Sequence, residues 1–149
     1  MKKLTKKFES IEKTYNELKD YVELQQVSPF MQIATTAAAV ITMKNNVYFG
    51  VNIKSDCGLG FCAERNALST MITCGETKIK YVLCIDRTLN PRLPCGACRE
   101  FIAQLNPDNL DSEIVTSISP FECVTMKSIL PGWWGYEKIE RENKNKNKN

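Results

Sequence analysis

The chain has no histidine among its 149 residues. Because histidine is the commonest metal ligand in proteins, its absence restricts any metal site to cysteine thiolates and carboxylates. The chain has seven cysteines, an odd number that excludes a complete set of intramolecular disulfide bonds. Reduced thiols are better suited to a reducing compartment, so we expect a cytoplasmic protein.

Long apolar runs are also lacking. The basic segment 1–7 is not followed by an apolar stretch of the kind that a secretory signal contains. The longest apolar run, residues 34–43, is interrupted by threonines and is too short to span a bilayer. We therefore expect a soluble protein with no membrane partner.

Little positive charge remains once the end of the chain is set aside. The net charge is +3, and Lys144, Lys146 and Lys148 of the Lys-Asn repeat account for it. Because affinity for polynucleotides depends on neutralising phosphates, we predict a small-molecule substrate and no nucleic-acid partner. The low-complexity tail 141–149 is predicted to be disordered, and residues 1–140 are predicted to form a single domain with an N-terminal helix.

Two cysteine motifs could build a metal site without histidine. The first is Cys62-Ala63-Glu64, and the second contains Cys95 and Cys98 in the run Pro-Cys-Gly-Ala-Cys. A catalytic zinc ion takes three protein ligands and leaves its fourth position to a water, whose pKa falls to about 7. We predict that the three cysteines bind Zn²⁺. Glu64 is the predicted catalytic residue, since a carboxylate that shuttles the water's proton accelerates hydrolysis by about 10²- to 10⁴-fold.

Two other interpretations of the cysteines remain open. A Cys-x-x-Cys pair in an intracellular protein can be a redox pair, although this leaves the first motif unexplained. A structural zinc site would need a fourth ligand, which Cys57 or Cys74 would supply. Apart from that possibility, Cys74, Cys84 and Cys123 lie in apolar stretches and are predicted to be buried small side chains.

The hydrophobic pattern predicts an α/β protein. Apolar residues at helical spacing predict an amphipathic helix over residues 4–24 that packs on a sheet. Thr125 is predicted to cap a brief helix that ends at Pro131. The other predicted elements, in chain order, are strands 34–43 and 47–51, loop 52–60, helix 62–74, strand 80–86, helix 95–105 and strands 113–119 and 121–124. This order implies one mixed sheet with helices on both faces.

The runs Cys-Ala-Glu-Arg at 62–65 and Pro-Cys-Gly-Ala-Cys-Arg at 94–99 resemble the cytidine deaminase family, in its subgroup with three thiolate ligands. Blasticidin S deaminase belongs to the same family, and the resemblance extends more loosely over residues 34–134. It implies the three-layer cytidine deaminase fold and zinc-dependent hydrolysis of a cytosine nucleoside to the uracil nucleoside and ammonia. It also implies that Arg65 donates hydrogen bonds to a thiolate, and that the protein is a homotetramer or homodimer.

The predicted substrate-binding half departs from the family pattern. Cytidine deaminases carry Asn-x-Glu after the second strand to hold the ribose, whereas this chain has Asn52-Ile53-Lys54. Asn52 is still expected to bind a sugar hydroxyl. Lys54 is either a counter-charge for a substrate carboxylate or a solvated loop residue. Ala34 occupies the position of a family phenylalanine, which predicts a wider pocket.

The remaining predicted substrate contacts are Ala63, between the first ligand and the glutamate, and Trp134. By its position after the Leu-Pro segment, Trp134 resembles the aromatic residue that stacks on the pyrimidine, often in a neighbouring subunit. Such stacking is worth about 1–3 kcal/mol. A tryptophan buried at a subunit interface is the alternative, and Trp133 and Tyr136 are predicted interface residues.

Three functions therefore remain open. Arg65 favours a deaminase of cytidine or deoxycytidine. Lys54 and Ala34 fit an enzyme like blasticidin S deaminase, which acts on a larger cytosine nucleoside. The altered sugar motif also permits a catalytically weak, zinc-stabilised nucleoside-binding protein.

Overall fold

The computed structural model describes residues 5–146. Its strands are β1 Thr5–Lys7, β2 Gln25–Ser28, β3 Met31–Thr42, β4 Asn46–Ser55, β5 Ile79–Asp86, β6 Glu113–Ser117 and β7 Glu122–Thr125. Its α-helices are α1 Ile11–Lys19, α2 Ala63–Thr73, α3 Gly96–Leu105 and α4 Gly135–Lys146. Short 3₁₀ helices span Asp56–Gly58, Pro107–Asp111 and Lys127–Ile129. None of the helices in this part of the chain is long and apolar enough to cross a membrane.

The strands form one mixed, seven-stranded sheet. Its order is β1-β4-β3-β5-β6-β7, with β2 paired to β3. The pair β5–β6 is parallel and the other pairs are antiparallel. The predicted strands 34–43 and 47–51 correspond to the antiparallel pair β3 and β4, and the single mixed sheet is confirmed.

Helices cover both faces of the sheet because side chains alternate along its long central strand. On one face, Ala37, Ala39 and Ile41 of β3 pack with Leu18 of helix α1. On the opposite face, Val40 packs in a cluster with residues of α2 and α3. The three-layer α/β architecture predicted from the sequence is therefore confirmed.

The N-terminal helix is shorter than the predicted 4–24. Residues 5–7 form β1, which pairs with the edge of β4, and Leu4 lies outside the described residues. Helix α1 begins after Ser10, whose side chain accepts a hydrogen bond from the backbone N–H of Lys13. The predicted apolar stripe nevertheless packs on the sheet, because Leu18 is buried there and Tyr15 lies partly buried against the same cluster.

Two other boundaries differ from the predictions. Strand β4 continues to Ser55, so Asn52 and Lys54 lie on a strand and not in the predicted loop. Helix α4 continues to Lys146, so residues 141–146 are helical where disorder was predicted, and residues 147–149 lie outside the described residues. The i,i+4 pair of Arg141 with Glu137 supports the helix through this polar stretch.

Candidate metal and active site

The sulfur atoms of Cys62, Cys95 and Cys98 lie within 4.8 Å of one another. The Sγ–Sγ distance is 3.6 Å from Cys62 to Cys95 and 3.5 Å from Cys95 to Cys98. Three thiolates that bind one tetrahedral zinc ion at about 2.3 Å are separated by roughly 3.8 Å. The donor set and spacing therefore fit zinc. Within residues 5–146, no other acidic or cysteine side chain joins the group.

The starts of two helices bring these sulfurs together. Cys62 is the N-cap of α2 and Cys95 is the N-cap of α3, both in extended backbone conformation. Cys98 lies in the first turn of α3 and is fully buried. The positive end of each helix dipole favours the thiolate form by about 0.3–1 kcal/mol.

Local interactions change the acidity of the two cysteines on α3 in opposite directions. Burial alone would raise the pKa of Cys95, but hydrogen bonds from the Cys98 backbone and from the Cys98 and Cys62 thiols lower it. The pKa of Cys98 is raised, first by burial and then by the charge of Glu64. The exposed thiol of Cys95 is thus more acidic than the buried thiol of Cys98.

Arg65 lies beside the first ligand, as the family resemblance implied. Its Nη2 atom donates a hydrogen bond to the Sγ atom of Cys62 at 3.8 Å. This hydrogen bond raises the pKa of Arg65. A positive charge is therefore placed against a cluster that becomes negative when its thiols ionise.

Glu64 faces a cavity of about 330 Å³ whose lining also includes Cys62 and Cys95. The side chain lies in the first turn of α2 and is 5% exposed. Ala63 is fully buried and lines the same cavity. The structure thus brings two of the three thiols, the carboxylate and the predicted substrate contact Ala63 around one space.

Asn52 also lines this cavity, but neighbouring groups already use much of its amide. Its Oδ1 atom accepts a hydrogen bond from the backbone N–H of Thr36 at 2.8 Å. Its Nδ2 atom donates to the hydroxyl of Thr35 at 2.9 Å. These bonds hold the amide in a defined orientation and leave fewer donors for a sugar hydroxyl.

Lys54 and Trp134 do not line the cavity. Lys54 borders a separate groove with Phe30 and Asp56. Trp134 is 61% exposed, and its indole N–H donates to Glu100 at 2.8 Å. Within one chain, the structure therefore does not place either side chain beside the thiols.

Sequence analysis missed several residues that line the cavity. Asp86 ends strand β5, and its Oδ2 atom pairs with the Nε atom of Arg92 at 2.8 Å. Thr36 and Leu93 also contribute to the wall. The position of Asp86 at the carboxyl end of a central strand was the one signal in the sequence that could have indicated it.

The other predicted positions have mixed outcomes. Cys84 is buried as predicted, and burial followed by the charge of Glu64 raises the pKa of its thiol. The prediction for Cys74 is wrong, since this thiol is exposed, and Cys123 is only partly buried. Trp133 is buried against α3 and Leu110 within the chain, which contradicts its assignment to an interface. The buried Ala34 has a left-handed backbone, with φ of 62°.

The proposed fourth ligands do not join the metal cluster. Cys57 and Cys74 are exposed free thiols outside the group of three. Arg99, which follows Cys98 in the chain, donates to the carbonyl oxygens of Pro94 and Ile129. The site thus has three sulfur donors and an adjoining cavity, an arrangement that leaves room for a further ligand.

Comparison with known families supports a zinc site of the deaminase type. The family model for the "Cytidine and deoxycytidylate deaminase zinc-binding region" matches residues 12–111. The chain belongs to this deaminase family.

Among its relatives in this deaminase family, the cytidine deaminase of Mycoplasma genitalium is 39% identical over 95 residues, which cover 62% of this chain and 73% of that protein. The probable cytidine deaminase of Dictyostelium discoideum is 33% identical over 108 residues, which cover 68% and 69% of the two chains. The deaminase-family motif therefore lies within a similarity that extends well beyond the cysteines.

Solved cytidine deaminases also have the fold of this family member. The structure from Burkholderia pseudomallei has a TM-score of 0.67 and 24% identity, and the match covers 85% of this chain and 100% of that one. The structure from Bacillus anthracis has a TM-score of 0.66 and 18% identity, with 89% and 95% covered. At this level of identity, the likeness shows the cytidine deaminase fold.

Proposed function

We propose that this protein catalyses the hydrolytic deamination of cytidine to uridine and ammonia. The observation that carries the proposal is the cluster of three cysteine sulfurs beside the cavity that Glu64 faces. Relatives named cytidine deaminase match most of the chain. The redox interpretation of Cys95 and Cys98 accounts for neither the third sulfur nor the buried carboxylate.

Cys62, Cys95 and Cys98 are the residues that would hold zinc. When bound, zinc supplies a Lewis acid that lowers the pKa of a water to about 7. The two helix N-termini and Arg65 favour the thiolate forms of the ligands and offset their negative charge.

Glu64 would carry the protons of the reaction. Its carboxylate would accept a proton from the attacking water as the water oxygen bonds to C4 of cytosine, and would pass this proton to N3. It would then take the second proton of that oxygen and deliver it to the amino group as the C4–N bond breaks and ammonia leaves. The burial of Glu64 suits this role, since bulk water does not compete for the proton.

The substrate proposed for this site is a cytosine nucleoside. The volume of about 330 Å³ is within the range of small-molecule sites. Asn52 and Ala63 line the cavity and are proposed substrate contacts. The position of Lys54 in a separate groove gives no support to its role as a counter-charge for blasticidin S.

We further propose that the protein assembles as a homotetramer or homodimer in which Trp134 reaches a neighbouring subunit's site. This is supported by the exposure of Trp134 and by its absence from the lining of the cavity in its own chain. Its hydrogen bond to Glu100 fixes the indole while leaving the ring open to a partner. The seven free thiols support a reducing, cytoplasmic location.

The proposal is tested by following cytidine loss by ultraviolet absorbance and ammonia release in the zinc-loaded protein. We expect Glu64→Gln to retain zinc and to lose activity by about 10²- to 10⁴-fold. Glu122→Gln, which alters an exposed glutamate on β7, is the matched control and should retain activity. Near-normal turnover by Glu64→Gln would refute the proton-shuttle role.

Substrate choice is tested with cytidine, deoxycytidine, cytosine and blasticidin S in parallel. We expect turnover of the two nucleosides and little turnover of the free base, which lacks the sugar. Faster turnover of blasticidin S than of cytidine would contradict the proposed substrate. Binding of cytidine without ammonia release would indicate a nucleoside-binding protein instead.

A further inference from the structure

The aromatic ring of Phe61 lies against the charged end of Arg65. The Cζ atom of Arg65 is 4.7 Å from the centroid of the ring. The same guanidinium group donates to the Sγ atom of Cys62 through Nη2. The guanidinium therefore lies between the ring of Phe61 and the sulfur of Cys62. Phe61 immediately precedes Cys62 in the chain.

The backbone of Phe61 is fixed by strand β4. The N–H of Phe61 donates to the carbonyl oxygen of Ile53, and the N–H of Ile53 donates to the carbonyl oxygen of Phe61, both at 2.8 Å. Gly60 permits this close approach, because an added Cβ atom there would lie 2.9 Å from the Ile53 oxygen. The Phe61 ring is thus attached to backbone that is hydrogen-bonded to the sheet and not to an unrestrained loop.

The guanidinium of Arg65 has few other constraints. Its Nε atom is buried and has no hydrogen-bond partner. In the described part of the chain, Arg65 forms no ion pair with a carboxylate. Contact with the Phe61 ring, together with the side-chain hydrogen bonds to Cys62 and Cys98, therefore defines the direction of the charged group.

We propose that Phe61 is a positioning residue for the metal centre, an inference that rests on the zinc site of the proposed function. Its ring holds the Arg65 guanidinium against Cys62. Three thiolates on a divalent ion leave a net negative charge, which the adjacent guanidinium offsets. A guanidinium free to turn towards solvent would offset less of that charge, so the site would hold the metal ion less tightly.

The experiment measures the rate at which the zinc-loaded protein releases zinc to a chromogenic chelator. We expect Phe61→Leu, which keeps an apolar side chain but removes the π system, to release zinc about two- to fivefold faster. Phe61→Tyr keeps the aromatic face and should release zinc at the wild-type rate. Urea unfolding of each variant separates this effect from a change in global stability.

A double-mutant cycle tests whether Phe61 acts through Arg65. In the Arg65→Gln background, Phe61→Leu should cause no further acceleration, because the cation is already absent. Should Phe61→Leu fail to fold, trifluorophenylalanine at position 61 provides a second test. It keeps the shape of the ring and weakens its negative face, so it should also accelerate release.

The role would be overturned if Phe61→Leu released zinc at the wild-type rate. It would also be overturned if Phe61→Leu accelerated zinc release equally in the wild-type and Arg65→Gln backgrounds. A wild-type protein that binds no zinc would overturn it together with the metal site. A zinc-loaded protein that does not deaminate cytidine would refute only the proposed function, because zinc release is measured without substrate.

Discussion

Gly50 controls how closely helix α2 approaches the sheet. A Cβ atom added at this position would lie 2.4 Å from the backbone N of Ala67 and 2.6 Å from the carbonyl oxygen of Ala63. Both are backbone atoms of α2, so no side-chain rotation relieves the contact. In Gly50→Ala, the helix that carries Glu64 and has Cys62 as its N-cap must move away from β4.

The size of this movement follows from the contacts. Ordinary van der Waals contact begins near 3.4 Å, so α2 must shift by about 1 Å. Overpacking of this kind costs about 1–3 kcal/mol of unfolding free energy, and the preference of a strand for alanine over glycine returns about 0.5–1 kcal/mol. Because the clashing atoms belong to the backbone, the cost lies in the upper part of its range, about 2–3 kcal/mol, and we expect a net loss of about 1–2.5 kcal/mol. A misplacement of about 1 Å in the catalytic group lowers kcat by about 100-fold.

Urea unfolding and cytidine turnover measure the two effects on the same zinc-loaded preparation. The matched control for stability is Gly96→Ala, because an added Cβ atom at Gly96 meets no atom within 4 Å. We expect its unfolding free energy to equal that of wild type or to exceed it by up to about 1 kcal/mol, since alanine is preferred over glycine in a helix. If Gly50→Ala matched this control in stability and retained wild-type kcat, the close approach of α2 to β4 would not be what sets the position of Glu64.

Two further predictions concern a buried carboxylate and the exposed tryptophan. Burial alone would raise the pKa of Glu76, but hydrogen bonds from Thr42, Tyr48 and Asn46 hold it below its ordinary value of 4.5. The contribution of the ionised Glu76 to stability is therefore present above pH 4.5 and is lost as the pH falls through the lower folded-state pKa. The difference in unfolding free energy between wild type and Glu76→Gln should become smaller in acid. A difference that stayed constant with pH would contradict this prediction. Trp134→Ala should lower kcat/KM for cytidine by about 5- to 150-fold while Trp134→Phe stays near wild type, and equal effects of the two would argue against stacking.

The metal cluster was predictable because each of its parts is encoded locally. A Cys-x-x-Cys pair at a helix start places both sulfurs near one point, and the absence of histidine left few other donors. The sulfurs of Cys95 and Cys98 are 3.5 Å apart in the structure. Their meeting with Cys62 depends on the fold, but the order of strands and helices in the sequence implied that fold.

The less accurate predictions concern residues whose environment is set by distant parts of the chain. Cys74 lies shortly after the apolar pair Met71 and Ile72, yet it is the C-cap of α2 at the surface and is exposed. Trp133 was assigned to an interface, but α3 and the segment around Leu110 bury it. Hydrophobic periodicity reports which face of an element is apolar, not which other element covers that face.

The sequence by itself determined the class of fold, the three sulfur donors and the carboxylate beside them, because short motifs and hydrophobic spacing depend on neighbouring residues. Only the tertiary structure decided which side chains surround the cavity. It placed Asp86 and Arg92 in the wall of the cavity, and it placed Lys54 in another groove. It also engaged the amide of Asn52 in hydrogen bonds with neighbouring residues. These outcomes depend on strand register and on loops that return to the sheet, which are contacts between residues far apart in the chain.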